Sequence, residues 1–172
     1  YIKLTAWSIT FPARLERLPV QTKAPRKRDG GDAQAPSTFT VVGIGASAGG
    51  LKALQQFVEA IPAESGMAYV IIVHLDPKRA SRMSELLQDK TAMPVAQVTD
   101  TTTLEPDHLY VIPPGHDLAM QGTTLALRER GERGDHAPVD LFFRTLAEEH
   151  GADAIGVILS GTGGDGTAGV RH

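Results

Sequence analysis

One ten-residue stretch limits what this chain can become: Val41-Val42-Gly43-Ile44-Gly45-Ala46-Ser47-Ala48-Gly49-Gly50. The run from Thr38 to Ile44, rich in Val and Thr, reads as a buried strand, and a glycine-dense turn follows it. From Leu51 to Val58 the apolar residues recur at helical spacing, so a helix leaves the turn. A strand, a tight turn and a helix place the turn at the carboxyl edge of a sheet, where open α/β proteins bind and react. Glycines there permit positive φ and close approach of other groups. The helix that follows offers free N–H groups and a positive dipole end to an anion.

Three functional readings compete for the turn. Gly45-Ala46-Ser47-Ala48-Gly49 fits G-x-S-x-G, which presents a serine hydroxyl on a sharp elbow. Gly43, Gly45 and Ala48 fit the dinucleotide fingerprint G-x-G-x-x-A. A phosphate loop from Gly45 to Gly50 nearly fits, but Lys52 comes one residue late, behind Leu51. A plain packing turn is the fourth possibility, and the turn alone does not choose among them.

The rest of the chain narrows the choice. Met67 to Val73 and Ala154 to Leu159 are apolar on both faces, as central parallel strands covered by helices must be. Shorter strands are expected at Pro94–Val98 and His108–Ile112, and a small hairpin around Gln121-Gly122-Thr123. Helices are expected over Arg82–Lys90 and from Pro138 to Glu149, the latter with Val139, Phe142, Phe143 and Leu146 on one face and proline at its start. Arg128 to His136 reads as a mobile loop, and a further helix is expected near Thr167. The alternation argues an α/β fold: a doubly wound, mostly parallel, Rossmann-like three-layer sheet with helices on both faces and a small β-hairpin insertion. Residues 1–37 have leader and linker composition and are expected to be disordered. Residues 38–172 form one domain, incomplete at its carboxyl end, and both chain ends read as cut.

Three chemically apt side chains fall at the carboxyl edge of such a sheet: Ser47 after the first strand, His74 after the next, and Asp165 after the last. A serine needs a base to accept its proton, histidine serves near neutrality, and a carboxylate holds the imidazole's tautomer. Asp165 also suits a helix N-cap, and Asp76 is a second candidate for the orienting acid. The dinucleotide reading asks for an acid at the tip of the second strand, and His74 stands there instead. His108, His116, His136, His150 and His172 read as solvated, without metal-ligand spacing.

Composition excludes further classes. With no cysteine among 172 residues, thiol catalysis, disulfides and cysteine-ligated metals are out, which is compatible with a cytoplasmic protein. A formal net charge of −3 gives no case for nucleic acid or an anionic membrane as partner. No apolar run approaches the length that spans a bilayer.

Five segments in order resemble the catalytic domain of the chemotaxis protein-glutamate methylesterases (CheB-type): Gly43 to Gly50, Val73-His74-Leu75-Asp76-Pro77, Tyr110 to Pro114, Pro138 to Arg144, and Leu159 to Gly166. The wording is nearest the branch fused to a methyltransferase (CheB/CheR hybrid). The resemblance implies a serine esterase with Ser47 as nucleophile, His74 as base and Asp165 as acid, and an oxyanion hole from the backbone N–H groups of Thr162 and Ala48. It implies no metal or organic cofactor. The implied substrate is glutamate methyl ester on the helical bundle of a methyl-accepting chemoreceptor, with deamidation of glutamine as a second activity and a fused or separate methyltransferase as partner. Ala48 departs from the threonine usual after the serine. His116 directly follows Gly115, so the family's histidine in that region is not carried over. Residues 1–37 are too short for a receiver domain, and the family's last strand and helices lie beyond His172. A non-catalytic signalling module and a nucleotide-binding α/β domain are the alternatives.

Overall fold

The computed structural model describes residues 2–4, 39–46, 48–73, 81–129 and 137–159. Its main sheet is all parallel and contains β1 (Ile2–Leu4), β2 (Val41–Ala46), β3 (Ala68–Val73), β4 (Val95–Gln97), β6 (Leu109–Val111) and β9 (Ala154–Leu159), in the order β1-β9-β2-β3-β6-β4. A second sheet, β5-β8-β7, is antiparallel and built from β5 (Thr102–Thr103), β7 (His116–Gln121) and β8 (Thr124–Glu129). The helices are α1 (Leu51–Glu59), α2 (Met83–Gln88) and α3 (Pro138–His150).

β2 and β3 hold the centre of the main sheet, and every residue of both is buried. That is the physical reason for their unbroken apolar sequence: a parallel strand with neighbours on each edge and helices on each face has no solvated side. The strand order shows the double winding. The chain steps from β2 to β3 and outward through α1 and α2, and then α3 returns it to β9 on the other side of β2. Right-handed crossovers therefore put α1 and α3 on opposite faces.

α3 buries Val139, Phe142, Phe143 and Leu146, and this stripe packs on both β2 and the β7–β8 hairpin. Its contact with β2 depends on two residues that have no side chain. A Cβ on Gly43 would lie 2.9–3.0 Å from Phe142 Cε1, Phe143 Cε1 and Leu146 Cδ2, and one on Gly45 would lie 2.5 Å from Val139 Cγ1. Gly43 and Gly45 are strand residues two apart, so they share one face. Positive φ plays no part in this segment: the described glycines that adopt it are Gly66, Gly115, Gly122 and Gly151. The expectation that the glycine-rich stretch serves close approach is met. The backbone freedom expected of the same glycines is not used at Gly43 and Gly45, because pairing with β3 and β9 on both sides carries β2 on to Ala46.

The hairpin is tied to α3 by polar groups at its tip. Thr145 Oγ1 accepts the Met120 N–H at 3.0 Å while its own hydroxyl turns to the Leu141 and Phe142 carbonyls. Glu149 Oε2 accepts the Gly122 N–H at 3.0 Å, and His150 Nε2 lies 2.9 Å from the Gly122 carbonyl. His150 is only 7% exposed. The reading of this histidine as solvated is corrected, since its position continues the buried stripe of α3 past Leu146.

Two further devices close the sheet's other margins. At the amino edge Asp107, with φ of 59°, accepts from the Gly66 N–H at 2.7 Å and from Ser65 Oγ at 3.2 Å, linking the loops that enter β3 and β6. On the outer side of β4, Gln88 Oε1 accepts the Val95 N–H at 2.9 Å, and its amide donates to the Met93 and Thr91 carbonyls. A side chain thus fills part of an edge that would otherwise invite another strand.

Ile2–Leu4 pairs with β9 from within the segment read as leader, while residues 5–38 lie outside the described residues. The helix expected near Thr167 and most of the loop expected over Arg128–His136 also lie outside them, though Arg128 and Glu129 end β8.

Two stability experiments follow from this packing. Gly45→Ala is expected to cost about 2 kcal/mol by overpacking, whereas Gly49→Ala, whose Cβ meets nothing within 4 Å, stays within about 0.5 kcal/mol. Denaturant titration reads both, and Val139→Ala in the Gly45→Ala background recovers part of the loss. Thr145→Val keeps the volume but strands the Met120 N–H, and it is expected to lower unfolding free energy by about 1–2 kcal/mol.

Candidate active site

β2, β3 and β9 end level. Ala46 is in register with Val73 on one side and with Leu159 on the other. Neighbouring strands lie about 4.8 Å apart, so the chain leaves the sheet at three adjacent points of one edge. The strand order turns back at β2: the chain moves out from β2 through β3 to β4 and β6, and α3 brings it back across to β9 on the other side of β2.

From Ala46 the backbone passes residue 47 into a 3₁₀ turn, Ala48–Gly50, and then into α1. Gly50 is the N-cap residue of α1; no side chain caps it, and the first turn contains no acid. Helix dipoles are positive at the amino end, so α1 begins with that end following the end of β2. Such an end suits an anion that forms during a reaction.

Of the residues assigned to the chemistry, Ser47, His74, Thr162 and Asp165 lie outside the described residues, as does Asp76. Ala48 is described and opens the 3₁₀ turn. The described strands lead directly to two of the others: Ser47 is the next residue after Ala46, and His74 is the next after Val73. Asp165 comes six residues beyond the end of β9 at Leu159.

The remaining described histidines have local partners. His108 Nδ1 lies 2.9 Å from the Pro106 carbonyl and its ring stacks on Tyr110, while His116 Nδ1 lies 2.7 Å from the Pro114 carbonyl at the start of β7. Among the described residues no group of three His, Asp or Glu side chains gathers as a metal site would require. The perturbed phenols belong to structural contacts. Burial pushes Tyr69 up, the Asp107 carboxylate adds to this, and a hydrogen bond with Ser65 opposes it. Burial likewise raises Tyr110, whose hydroxyl accepts the Glu105 N–H at 3.0 Å.

The nucleotide reading loses its main support here. Gly43 and Gly45 face Val139, Phe142, Phe143 and Leu146, so close packing of α3 on β2 accounts for both glycines without a nucleotide. Sequence reasoning missed His150 and Thr145. The helical spacing from Val139 through Leu146 to position 150 was the available signal for the histidine.

A mostly parallel sheet with this strand order and helices between its strands is a doubly wound α/β domain. A sequence model described as CheB methylesterase matches residues 42–172, and the chain belongs to that family. It is 37% identical over 139 residues to the protein-glutamate methylesterase/protein-glutamine glutaminase 2 of Xanthomonas oryzae pv. oryzae, covering 78% of this chain and 38% of that protein. It is also 41% identical over 88 residues to an uncharacterised 104.1 kDa protein of Rhodobacter capsulatus, covering 51% of this chain and 9% of that one. Among solved structures, the catalytic domain of the CheB methylesterase of Thermotoga maritima matches with a TM-score of 0.69 at 23% identity, over 78% of this chain and 74% of that one, which is a likeness of fold. The chain therefore spans well under half the length of the methylesterase it matches.

Because α3 fills the space beside Gly43 and Gly45, adding NAD or ATP is expected to leave the thermal midpoint unchanged. A saturable rise with either nucleotide, measured by scanning fluorimetry, would contradict this assignment of the two glycines.

Proposed function

We propose that this chain is the catalytic domain of a protein-glutamate methylesterase that hydrolyses glutamate methyl esters on methyl-accepting chemoreceptors, within a cytoplasmic signalling pathway. The observation that carries the proposal is the level ending of β2 and β3, the strands that immediately precede Ser47 and His74, in a chain of the CheB methylesterase family.

Ser47 attacks the ester carbonyl while His74 takes the hydroxyl proton. Asp165 holds the imidazole's tautomer and stabilises its cation. The tetrahedral oxygen carries the negative charge and is met by the backbone N–H groups of Ala48 and Thr162. One such donor is worth about 3–4 kcal/mol in acyl transfer. His74 returns the proton to the methoxide as the C–O bond breaks, and methanol leaves. Water, deprotonated by the same imidazole, attacks the acyl-serine and frees the glutamate carboxylate and the serine. A glutamine side chain follows the same course with ammonia as leaving group, which gives the second activity.

The partner is the helical bundle of the chemoreceptor. The 9% share of the 104.1 kDa relative supports placement of such a domain inside a much larger polypeptide. With the resemblance to the hybrid branch, it favours fusion to a methyltransferase, whose product this domain would hydrolyse.

The test is methanol release from a methylated chemoreceptor fragment. Ser47→Ala and His74→Ala are each expected to lower kcat at least about a thousandfold, with thermal midpoints retained. Activity should rise with pH as the imidazole loses its proton, since only the neutral ring accepts one. Turnover that survives Ser47→Ala removes the serine mechanism, and a folded protein with no turnover at all favours a non-catalytic signalling module.

A further inference from the structure

β9 stands inside the main sheet, between β1 and β2, yet it is not covered as β2 is. Gly43 and Gly45 face α3, so Val42, Ile44 and Ala46 face the other way, toward the side of α1. The register sets Ile155 level with Val42, Val157 with Ile44 and Leu159 with Ala46, and residues level across parallel strands share a face. On that face Val42, Ile44, Val157 and Leu159 are buried, while Ile155 is 43% exposed. The opening is therefore local. It lies on the α1 side of the sheet, at the amino end of β9.

The path of the chain supplies a cover. β1 and β2 both run parallel to β9, one on each side of it. The chain leaves β1 at the carboxyl edge and enters β2 at the amino edge, so residues 5–40 travel back along the sheet and pass over β9. Connections between parallel strands are right-handed in about 98% of cases. In the order β1-β9-β2-β3, the step from β1 to β2 runs in the same direction as the step from β2 to β3, which α1 makes. One hand puts both connections on one face, the face of Ile155. The return ends in the right place too: Phe39 packs against the core, and Val41 is level with Ala154, the neighbour of Ile155. A crossover takes a dozen or more residues, and this stretch exceeds that. Its composition fits as well. Trp7, Ile9, Phe11, Leu15, Leu18 and Val20 fall within it, ahead of the basic run from Lys23 to Arg28.

We propose that residues 6–20 dock on the α1 side of β9 and cover Ile155, so that the stretch read as a leader completes the core of the domain. The family match begins at residue 42, so this gives a task to chain that the match does not reach, and it stands apart from the methylesterase reading.

The chain has no cysteine, so Ile155→Cys and Leu86→Cys each carry a single thiol, at positions that are 43% and 40% exposed among the described residues. In the full chain the thiol at position 155 is expected to react with a maleimide at least about tenfold more slowly than the one at position 86, because its reaction awaits local opening. A diazirine-bearing aliphatic amino acid at position 155 is expected to cross-link, on irradiation, to residues 6–20 within a monomer. Equal labelling rates overturn the proposal, and so does a cross-link to any other segment or to a second copy of the chain. Should both substitutions unfold the protein, the unaltered chain decides. Trp7 is its one tryptophan, and its emission is expected to lie to the blue of the denatured chain and to resist quenching by acrylamide. Emission and quenching equal to those of the denatured chain overturn the assignment.

Discussion

Everything at the working edge depends on how closely α3 can lie against β2. Two positions of the central strand carry no side chain, and four side chains of the helix take up that space. A helix held at ordinary distance would leave voids above Gly43 and Gly45, and protein interiors tolerate few of these. A Cβ at Gly45 would force Val139 outward and lift the start of α3, the element that delivers the chain to β9. The contact therefore fixes a three-strand unit, β9-β2-β3, whose ends are level.

That unit sets the chemistry available. Level strand ends give adjacent exits for the segments that follow them, so residues far apart in sequence start from neighbouring anchors. α3 contributes on its other side as well. It holds the hairpin through Thr145, Glu149 and His150, each of which pairs with a backbone group of the hairpin. One helix thus couples the second sheet to the strand that precedes the turn.

Much of this architecture was legible because the signals were redundant. Residues 68–73 are apolar at nearly every position, and β3 is buried at every one, as a strand covered on both faces must be; residues 154–159 are as apolar, yet in β9 only Val157 and Leu159 are buried and Ile155 is 43% exposed, which corrects the expectation that this strand is covered on both faces. Pro138 and the spacing of Val139, Phe142, Phe143 and Leu146 marked α3 well. Three features escaped for physical reasons. β1 and β5 have three and two residues, too few to show a period, and exist only through their pairing. The purpose of Gly43 and Gly45 lies in a helix almost a hundred residues away, so the local sequence offered turn chemistry in its place. His150 looked solvated because a helix end is usually exposed, and the carbonyl that it meets belongs to the hairpin. For the site, the described residues give three level strand ends, those of β2, β3 and β9. The roles of Ser47, His74 and Asp165 came from residue type and family wording, which speak to chemistry but not to distance.

The pairing of β2 with β9 has a consequence for how the molecule comes into being. Val41 finds its partner Ala154 roughly 110 residues later, and contacts so distant in sequence slow folding. On the ribosome, at about 5–20 residues per second, a strand that ends up buried at every residue waits for several seconds with one edge unpaired. Synthesis is thus the interval in which this chain most needs a chaperone.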